Sequence, residues 1–293
     1  MLIIIGSIIV TLSVGVGYVL AHGNLAALWQ PYELIIIGGA AFGAYLASNP
    51  IPVHKAVIRY IIVALKGSPY KRQAYVELLM LIHDLLQKSK VEGLLKLEED
   101  IDNPHESALF QAYPIILADH GIQTFICDNV RILIGGGLDN FQFQELMEQE
   151  LETHHQESAL PSDAVTKVAD ALPGFGIVAA VLGIVITMGS LGDGDTAALG
   201  MHVAAALVGT FLGILLAYGF VAPVAIAMEH AARDEAKFFE CAKVCLLAGA
   251  QGYNPKNAVE FGRKVLFHKD RPTFDELDQY LRKPKNAAEE EPA

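Results

Sequence analysis

Basic residues are absent from two long stretches of this chain. Residues 1–54 and 168–232 contain no Lys or Arg, because all 21 basic residues lie in residues 55–167 and 233–285. Acidic residues are also rare in the two stretches, and the first contains only Glu33. A single soluble core would place charge on the outer face of every helix, so this partition excludes an ordinary soluble globule. It indicates a membrane protein with two water-exposed parts.

Other scarcities exclude further classes of protein. Only 18% of the 293 residues are charged, whereas 53% are hydrophobic, and the mean hydropathy is +0.37. The net charge of -12 argues against a nucleic-acid partner, because binding phosphates requires a clustered basic face. Cys127, Cys241 and Cys245 are too few for a disulfide framework, which places the charged blocks in a reducing compartment.

Four apolar runs are the candidate membrane spans. They cover residues 2–21, 34–48, 171–192 and 196–228. A cleaved signal peptide is an alternative for the first run, but that run has no basic region before it and a second apolar run follows closely. Four spans put both basic blocks on one side of the membrane, and the positive-inside rule makes that side the cytoplasm.

The charged blocks have a helical pattern. Apolar residues recur at helical spacing through Tyr75, Leu78, Leu79, Ile82, Leu85 and Leu86. Further helices are predicted over residues 107–134 and 140–168, separated by three glycines, and over 255–267 and 273–283. No stretch has the sustained alternation of a strand, so we expect these blocks to be all-helical.

These patterns predict an all-α integral membrane protein with a large helical cytoplasmic domain formed by the loop between helices 2 and 3 and the C-terminal tail. Its expected parts, in chain order, are transmembrane helices 1 and 2 in residues 1–49, a cytoplasmic helical domain in 50–170, transmembrane helices 3 and 4 in 171–228, a cytoplasmic helical tail in 229–285, and a disordered acidic tail in 286–293.

Small residues recur four positions apart in the spans. The pairs are Gly39 with Gly43, Gly176 with Ala180, Ala179 with Gly183, and Gly209 with Gly213. Such pairs let helices approach closely in lipid, where packing drives association. They serve either packing within the four-helix bundle or packing against another chain.

The spans lack an ionisable side chain near their middle, because Glu33 and His202 fall near the expected non-cytoplasmic ends. Intramembrane ionisable groups are the usual carriers of ions or protons. If this protein moves an ion, a partner chain must supply the titrating group. The polar side chains left as candidates are hydroxyls that can equally bond their own helix backbone, namely Ser7, Thr11, Ser13, Thr187, Thr210 and Tyr218.

Two prolines interrupt the apolar pattern, Pro173 at the start of the third span and Pro223 near the end of the fourth. Each removes a backbone donor and can kink its helix, either as a simple bend or as a hinge. Motifs for enzyme chemistry are missing: the adjacent His154 and His155 do not have the spacing of a helical metal pair. We therefore expect no enzyme activity, cofactor or metal.

Several long segments resemble one known family. LPGFGIVAAVLGIV (172–185), ALVGTFLGILLAYGFVAP (206–223), ILADHGIQTFICDNVRILIGG (116–136), NPKNAVEFGRKVLF (254–267) and YELIIIGGAAFGAY (32–45) are similar to segments of the MotA flagellar stator proteins, within the MotA/TolQ/ExbB proton channel superfamily. The resemblance extends over all of the chain except about residues 286–293.

The resemblance implies a stator subunit of the bacterial flagellar motor in the inner membrane. Members of the family form a homo-pentamer around a dimer of MotB, whose membrane aspartate binds the ion. Ion flow then drives torque on the rotor protein FliG. The partner's aspartate would supply the titrating group that the spans lack.

The same resemblance assigns roles to individual residues. Pro173 and Pro223 match the family's two functional prolines, and Thr210 matches the hydroxyl beside the ion path. Sodium-driven relatives carry a Thr where this chain has Ala180, and a methyl group offers no oxygen to a dehydrated cation. The resemblance therefore implies a proton-driven stator.

Three charged positions match those linked to rotor contact, Lys90, Glu98 and Glu150. Position 90 is usually Arg in proton-driven members, so Lys90 keeps the charge but loses the bidentate geometry of a guanidinium. Solvation of an exposed charged face is the alternative interpretation for all three, since exposed ion pairs contribute at most about 1 kcal/mol.

Other functions make different predictions. The energisers of the TonB and Tol systems usually have three spans and a different loop order. An independent transporter or channel would conduct ions without a partner. A structural scaffold would tolerate alanine at Pro173 and Pro223 together.

Overall fold

The computed structural model describes residues 2–189 and 196–282, and every regular element within these ranges is helical. The predicted all-α fold is confirmed. The expected disordered tail at 286–293 lies outside the described residues. The helices are α1 Leu2–Leu20, α2 Leu25–Leu28, α3 Pro31–Ser48, α4 Ile51–Lys66, α5 Arg72–Glu92, α6 Glu98–Asp102, α7 Ala108–Gln111, α8 Pro114–Ala118, α9 His120–Gly135, α10 Asn140–Gly189, α11 Thr196–Leu215, α12 Ala222–Ala250, α13 Pro255–Val265 and α14 Phe274–Arg282.

Four helical stretches are long and apolar enough to cross a membrane. They are Leu2–Leu20, Leu25–Ser48, and the apolar parts of Asn140–Gly189 and Gly200–Ala250. The last stretch includes a π-helical turn, Leu216–Val221, between α11 and α12. The four predicted spans therefore correspond to four helical stretches in the structure.

The chain divides into two compact units. The first, which we call the span unit, comprises residues 1–67 and 158–232, and the second, the charged unit, comprises 68–157 and 233–293. The boundaries expected from the sequence, at residues 50, 171 and 229, follow the membrane rather than helix packing, and they stay a prediction. The compact units follow packing, so that α4 and the segment from Ser158 belong to the span unit, although both carry charge.

Two buried clusters hold the span unit together. In the first, Val53, Val57 and Tyr60 of α4 pack against Val165 of α10 and Met228 of α12. These three residues of α4 lie at positions i, i+4 and i+7, which share one face of a helix. The residues of the second cluster are Ile37, Ala41, Leu172, Ala179 and Ala217. It joins α3 to α10 and to the π-helical turn.

The charged unit has a larger core centred on α5. The predicted stripe on α5 is buried from Tyr75 to Leu85, and Leu86 is partly buried beside it. Phe125 of α9 and Phe238 and Phe239 of α12 fill the space around the stripe. Burying each such side chain stabilises the fold by about 1.5–3 kcal/mol, so this core accounts for the helical pattern seen in the sequence.

The single helix predicted over residues 107–134 is wrong, because the structure has three shorter helices there. Pro114 begins α8, and a proline excludes the preceding residue, Tyr113, from helical backbone. Asp119 then caps α9, since its carboxylate accepts hydrogen bonds from the amides of Gly121 and Ile122 at 3.1 and 3.4 Å. The glycine-rich loop is present, and Gly136 ends α9 with a φ of 65°.

Candidate functional site

Helices α10 and α11 cross at glycines that the sequence analysis had paired. A methyl group on Gly213 would lie 2.8 Å from the carbonyl oxygen of Leu172 and 2.9 Å from Cα of Gly176. A methyl group on Gly176 would lie 3.0 Å from the carbonyl oxygen of Gly209. The two backbones are therefore in direct contact, which only glycine allows.

The crossing brings together two of the predicted ion-path residues. Cα of Thr210 lies 3.4 Å from the point that a methyl group added to Gly176 would occupy. The amide nitrogen of Ala180 lies 3.4 Å from the point that a methyl group added to Gly209 would occupy. Both side chains are half-buried. Pro173 lies three residues before Gly176 and is also half-buried, and α10 continues through it without a break.

Glu33 also lies at this crossing, and sequence reasoning missed it. Its side chain comes from the first turn of α3 and is only 7% exposed. Oε2 lies 2.9 Å from the methyl position of Gly209, and this oxygen is buried without a hydrogen-bond partner among the described residues. Glu33 lies in the first turn of α3, near the end of its span as expected, and its carboxyl is nevertheless buried among the packed helices. The missed signal was the lone acid in a run without basic residues.

Pro223 lies two residues after Val221, the end of the π-helical turn. A proline has no N–H and its ring clashes with the carbonyl four residues earlier, here that of Gly219. The amide of Ala222 donates to the carbonyl of Ala217, five residues earlier, which widens the helix at this point. The wider turn accommodates the proline, and such turns mark helices that bend.

Other hydroxyls of the spans bond to their own helix backbone. Thr11 Oγ1 donates to the carbonyl oxygen of Ser7 at 2.8 Å, and Thr187 Oγ1 donates to that of Gly183 at 2.7 Å. Each bond spans one helical turn, which is the ordinary arrangement for such residues. These two hydroxyls therefore stabilise local backbone, whereas Thr210 lies at the helix crossing.

The small-residue pair on α3 behaves differently from those on α10 and α11. A methyl group on Gly39 or on Gly43 would meet no atom within 4 Å, and both glycines are exposed. Phe42 between them is 60% exposed. No described residue therefore packs against these two glycines, and contact of this pair with another chain stays a prediction.

The three predicted rotor-contact residues are all exposed in the charged unit. Lys90 lies in the last turn of α5, and Glu98 begins α6 just after the 3₁₀ turn Leu94–Leu97. Glu150 lies on α10, where its Oε2 accepts a hydrogen bond from Nδ2 of the buried Asn129 at 2.9 Å. Glu150 is thus held against α9, and this bond gives it a structural role.

A buried carboxylate fixes the turn between Lys90 and Glu98. Asp100 is 8% exposed, and it accepts hydrogen bonds from Lys88 Nζ at 2.5 Å and from Ser107 Oγ at 2.7 Å. The bond to Asp100 raises the pKa of the Lys88 ammonium group. Hydrogen bonds to charged partners are stronger than neutral ones, so this cluster holds α5 and α6 in one geometry.

The cysteines are packed thiols. All three are buried, and burial raises the pKa of Cys127 to about 12 and that of Cys241 well above its usual range. Sγ of Cys245 lies against Gly262, where a methyl group would collide with it. Within residues 2–189 and 196–282, no three potential ligands come together as a metal site.

Comparison with known proteins decides the family. Motility protein A of Salmonella typhimurium is 44% identical to this chain over 286 residues, which cover 98% of this chain and 97% of that protein. The chain belongs to the Motility protein A family. Its residues 4–93 match the family model described as Motility protein A N-terminal, and residues 118–240 match that of the MotA/TolQ/ExbB proton channel family.

Two further relatives are similar over most of this chain, and two solved structures share its fold. Motility protein A of Escherichia coli is 43% identical over 98% of this chain and 97% of its own length. Chemotaxis protein LafT of Vibrio parahaemolyticus is 38% identical over 90% of this chain and 93% of its own length. The structure of C. jejuni MotAB shares the fold, with a TM-score of 0.74 and 21% identity over 93% of this chain and 98% of that chain. The flagellar MotAB stator complex from Bacillus subtilis also shares it, with a TM-score of 0.67 and 24% identity over 94% of this chain and 98% of that chain.

Membership of the Motility protein A family confirms the resemblance seen in the sequence. The second family model also includes the TolQ and ExbB energisers, so it alone would not separate them from this chain. The N-terminal model over residues 4–93 does so, because it is named for Motility protein A. The chain is thus a multi-pass membrane protein of a proton channel family.

Proposed function

We propose that this chain is the membrane subunit of a flagellar motor stator that couples proton flow to torque. The observation that carries the proposal is the 44% identity with a Motility protein A over 98% of the chain. Five copies would surround a dimer of MotB, as the resemblance to the MotA stator proteins implies, and two solved structures that share the fold are named as MotAB. Gly39 and Gly43 on α3 are exposed, and a methyl group added to either would meet no atom within 4 Å. A helix of another chain could therefore pack closely against them, which supports this assembly.

The ion path would run beside the crossing of α10 and α11. Thr210 supplies a hydroxyl there, and Ala180 supplies only a methyl group. A dehydrated sodium ion requires several oxygen ligands, whereas a proton requires a single acceptor at a time. The methyl group at position 180 therefore favours the proton, and the aspartate of MotB would carry it.

Pro173 and Pro223 would couple the path to the rest of the subunit. Pro173 lies one turn before the glycine contact, and Pro223 follows the π-helical turn. Both positions lack a backbone donor, so the helix can change its bend there at a lower cost than at a fully bonded turn. A change at the crossing would then alter the direction of α10 and of α12.

The charged unit would lie in the cytoplasm and push FliG. The positive-inside rule supports this orientation, because all 21 basic residues lie outside residues 1–54 and 168–232. The rotor-facing surface would include Lys90, Glu98 and Glu150, all of which are exposed. Mixed charge on this surface can select a partner of complementary charge and set its register.

Swimming of cells that depend on this chain and its own MotB partner tests the proposal. We expect swimming to continue when sodium is replaced by potassium at constant proton-motive force, and to stop when a protonophore removes that force. Alanine at Pro173 or Pro223 should abolish or severely impair swimming while the protein stays in the membrane. Swimming that stops on sodium removal contradicts proton coupling, and normal swimming in both proline variants contradicts the coupling role.

A further inference from the structure

Glu33 presents to the helix crossing a carboxylate oxygen, Oε2, for which the described residues supply no hydrogen-bond donor. The residue is only 7% exposed to solvent. Its Oε2 is buried and accepts no hydrogen bond from the described residues. The oxygen points at Gly209, since a methyl group there would lie 2.9 Å from it. The same methyl position is 3.4 Å from the amide nitrogen of Ala180.

Among the described residues of the helices that pack around this carboxylate, no Lys or Arg faces it. Neither α3 nor α11 contains Lys or Arg, and α10 contains none after Lys167. Besides Glu33, the titratable residues on α3, on α11 and on the part of α10 that follows Lys167 are Tyr32 and Tyr45 on α3, Asp170 on α10 and His202 on α11. His202 lies seven residues from Gly209, a distance of roughly 10 Å along the helix, so it does not pair with Glu33.

A structural role at the helix start explains only part of this arrangement. An acid in the first turn of a helix interacts favourably with the helix dipole, by about 0.3–1 kcal/mol at an exposed site. Such a carboxylate gains by facing water or free amides, whereas Glu33 turns into the crossing of α10 and α11. The free-energy cost of burying an unpaired charge is far larger than the stabilisation by the helix dipole. This carboxyl group must therefore be protonated or be in contact with water that can protonate it.

We propose that Glu33 is a second proton-binding carboxyl of this subunit, distinct from the aspartate of the partner. This inference rests on the proposed proton path beside Ala180 and Thr210. The carboxylate of Glu33 would accept a proton from a hydronium ion, leaving water, and would return that proton to water in the next step. One O–H bond forms and one breaks in each transfer, and no redox change occurs.

Gly209 is the residue that makes room for this carboxyl. The methyl group of an alanine would lie 2.9 Å from Glu33 Oε2, closer than normal contact, and 3.3 Å from Cβ of Ala179. The carboxyl would have to move away from Ala180. Gly200 on the same helix provides a matched control, because a methyl group there meets no atom within 4 Å.

Infrared difference spectroscopy during a pH change tests the proposal. The sample is the full-length chain in complex with its single-span partner in lipid vesicles, with the partner's membrane carboxylate replaced by the amide. We expect the carbonyl-stretching band of a protonated carboxylic acid to change amplitude with pH, and to be lost in Glu33→Gln. Glu145→Gln, which removes an exposed carboxylate of α10, should retain the band.

Two further variants keep the test decisive if Glu33→Gln fails to assemble. Gly209→Ala should shift the frequency of the band, because it moves the carboxyl, whereas Gly200→Ala should leave the band unchanged. An unaltered band in Glu33→Gln, or in Gly209→Ala where Glu33→Gln does not assemble, overturns the role of Glu33. Absence of proton flux through the unmodified wild-type complex, with the band still assigned to Glu33, counts against the proposed stator function alone.

Discussion

Alanine at Gly213 tests the close contact between α10 and α11. The added methyl group would lie 2.8 Å from the carbonyl oxygen of Leu172 and 2.9 Å from Cα of Gly176, whereas ordinary contact lies at 3.4–4 Å. The helices must therefore separate by roughly half an ångström or more. Overpacking of this kind costs about 1–3 kcal/mol.

The matched control for this prediction is Gly200→Ala on the same helix. Its methyl group meets no atom within 4 Å, so it changes helix propensity without a steric clash. Replacing glycine by alanine in a helix gains about 1 kcal/mol, and this gain cancels when the two variants are compared. The difference between them, about 1–3 kcal/mol in favour of Gly200→Ala, then measures the clash.

The assay is unfolding of the full-length chain in detergent, followed by the loss of helical signal, together with swimming of cells that carry each variant. We expect Gly213→Ala to unfold more easily than Gly200→Ala and to swim more slowly at equal amounts of membrane protein. Equal stability and equal swimming in the two variants would refute the direct backbone contact.

Three further predictions concern the charged unit. Asp100→Asn should destabilise this unit by about 1–3 kcal/mol, because it replaces charged hydrogen bonds from Lys88 and Ser107, and thermal unfolding should detect the loss. Glu98→Lys should reduce torque and be rescued by a reciprocal charge reversal on FliG, whereas Glu145→Lys on α10 should leave torque unchanged; failure of every rescue would favour a solvated charged face. The buried cysteines, with the pKa of Cys127 raised to about 12, should resist alkylation at pH 8 until the protein is unfolded, and rapid labelling of the folded chain would contradict their burial.

Periodicity and charge predicted the elements of the fold because both are local properties of the chain. Uncharged runs long enough to cross a bilayer became helices, and the stripe from Tyr75 to Leu85 became the core of the charged unit. The helix over 107–134 failed because Pro114 and Asp119 begin new helices within an apolar stretch. Apolar content alone could not separate one long helix from three short ones.

The candidate site was less predictable, because it depends on contacts between helices distant in sequence. Small residues spaced by four indicated close packing, and Gly176 and Gly213 do pack closely. Glu33, near the start of its helix, gave no indication of which helix it would meet. Only the packing of α3 against α11 shows that its carboxyl reaches Gly209. The proposed rotor contact of Lys90 and of the other exposed charges involves a second molecule, so no packing within this chain indicates it.

Proton flux into lipid vesicles tests the central claim most directly. Vesicles would contain this chain alone, or this chain with its single-span partner, and an imposed pH gradient and membrane potential would drive the flux. We predict no flux above that of empty vesicles for the chain alone, and flux with the partner that stops when the partner's membrane aspartate is replaced by asparagine. Equal flux from the chain alone would contradict the account, because it would show an independent channel that requires no borrowed carboxyl.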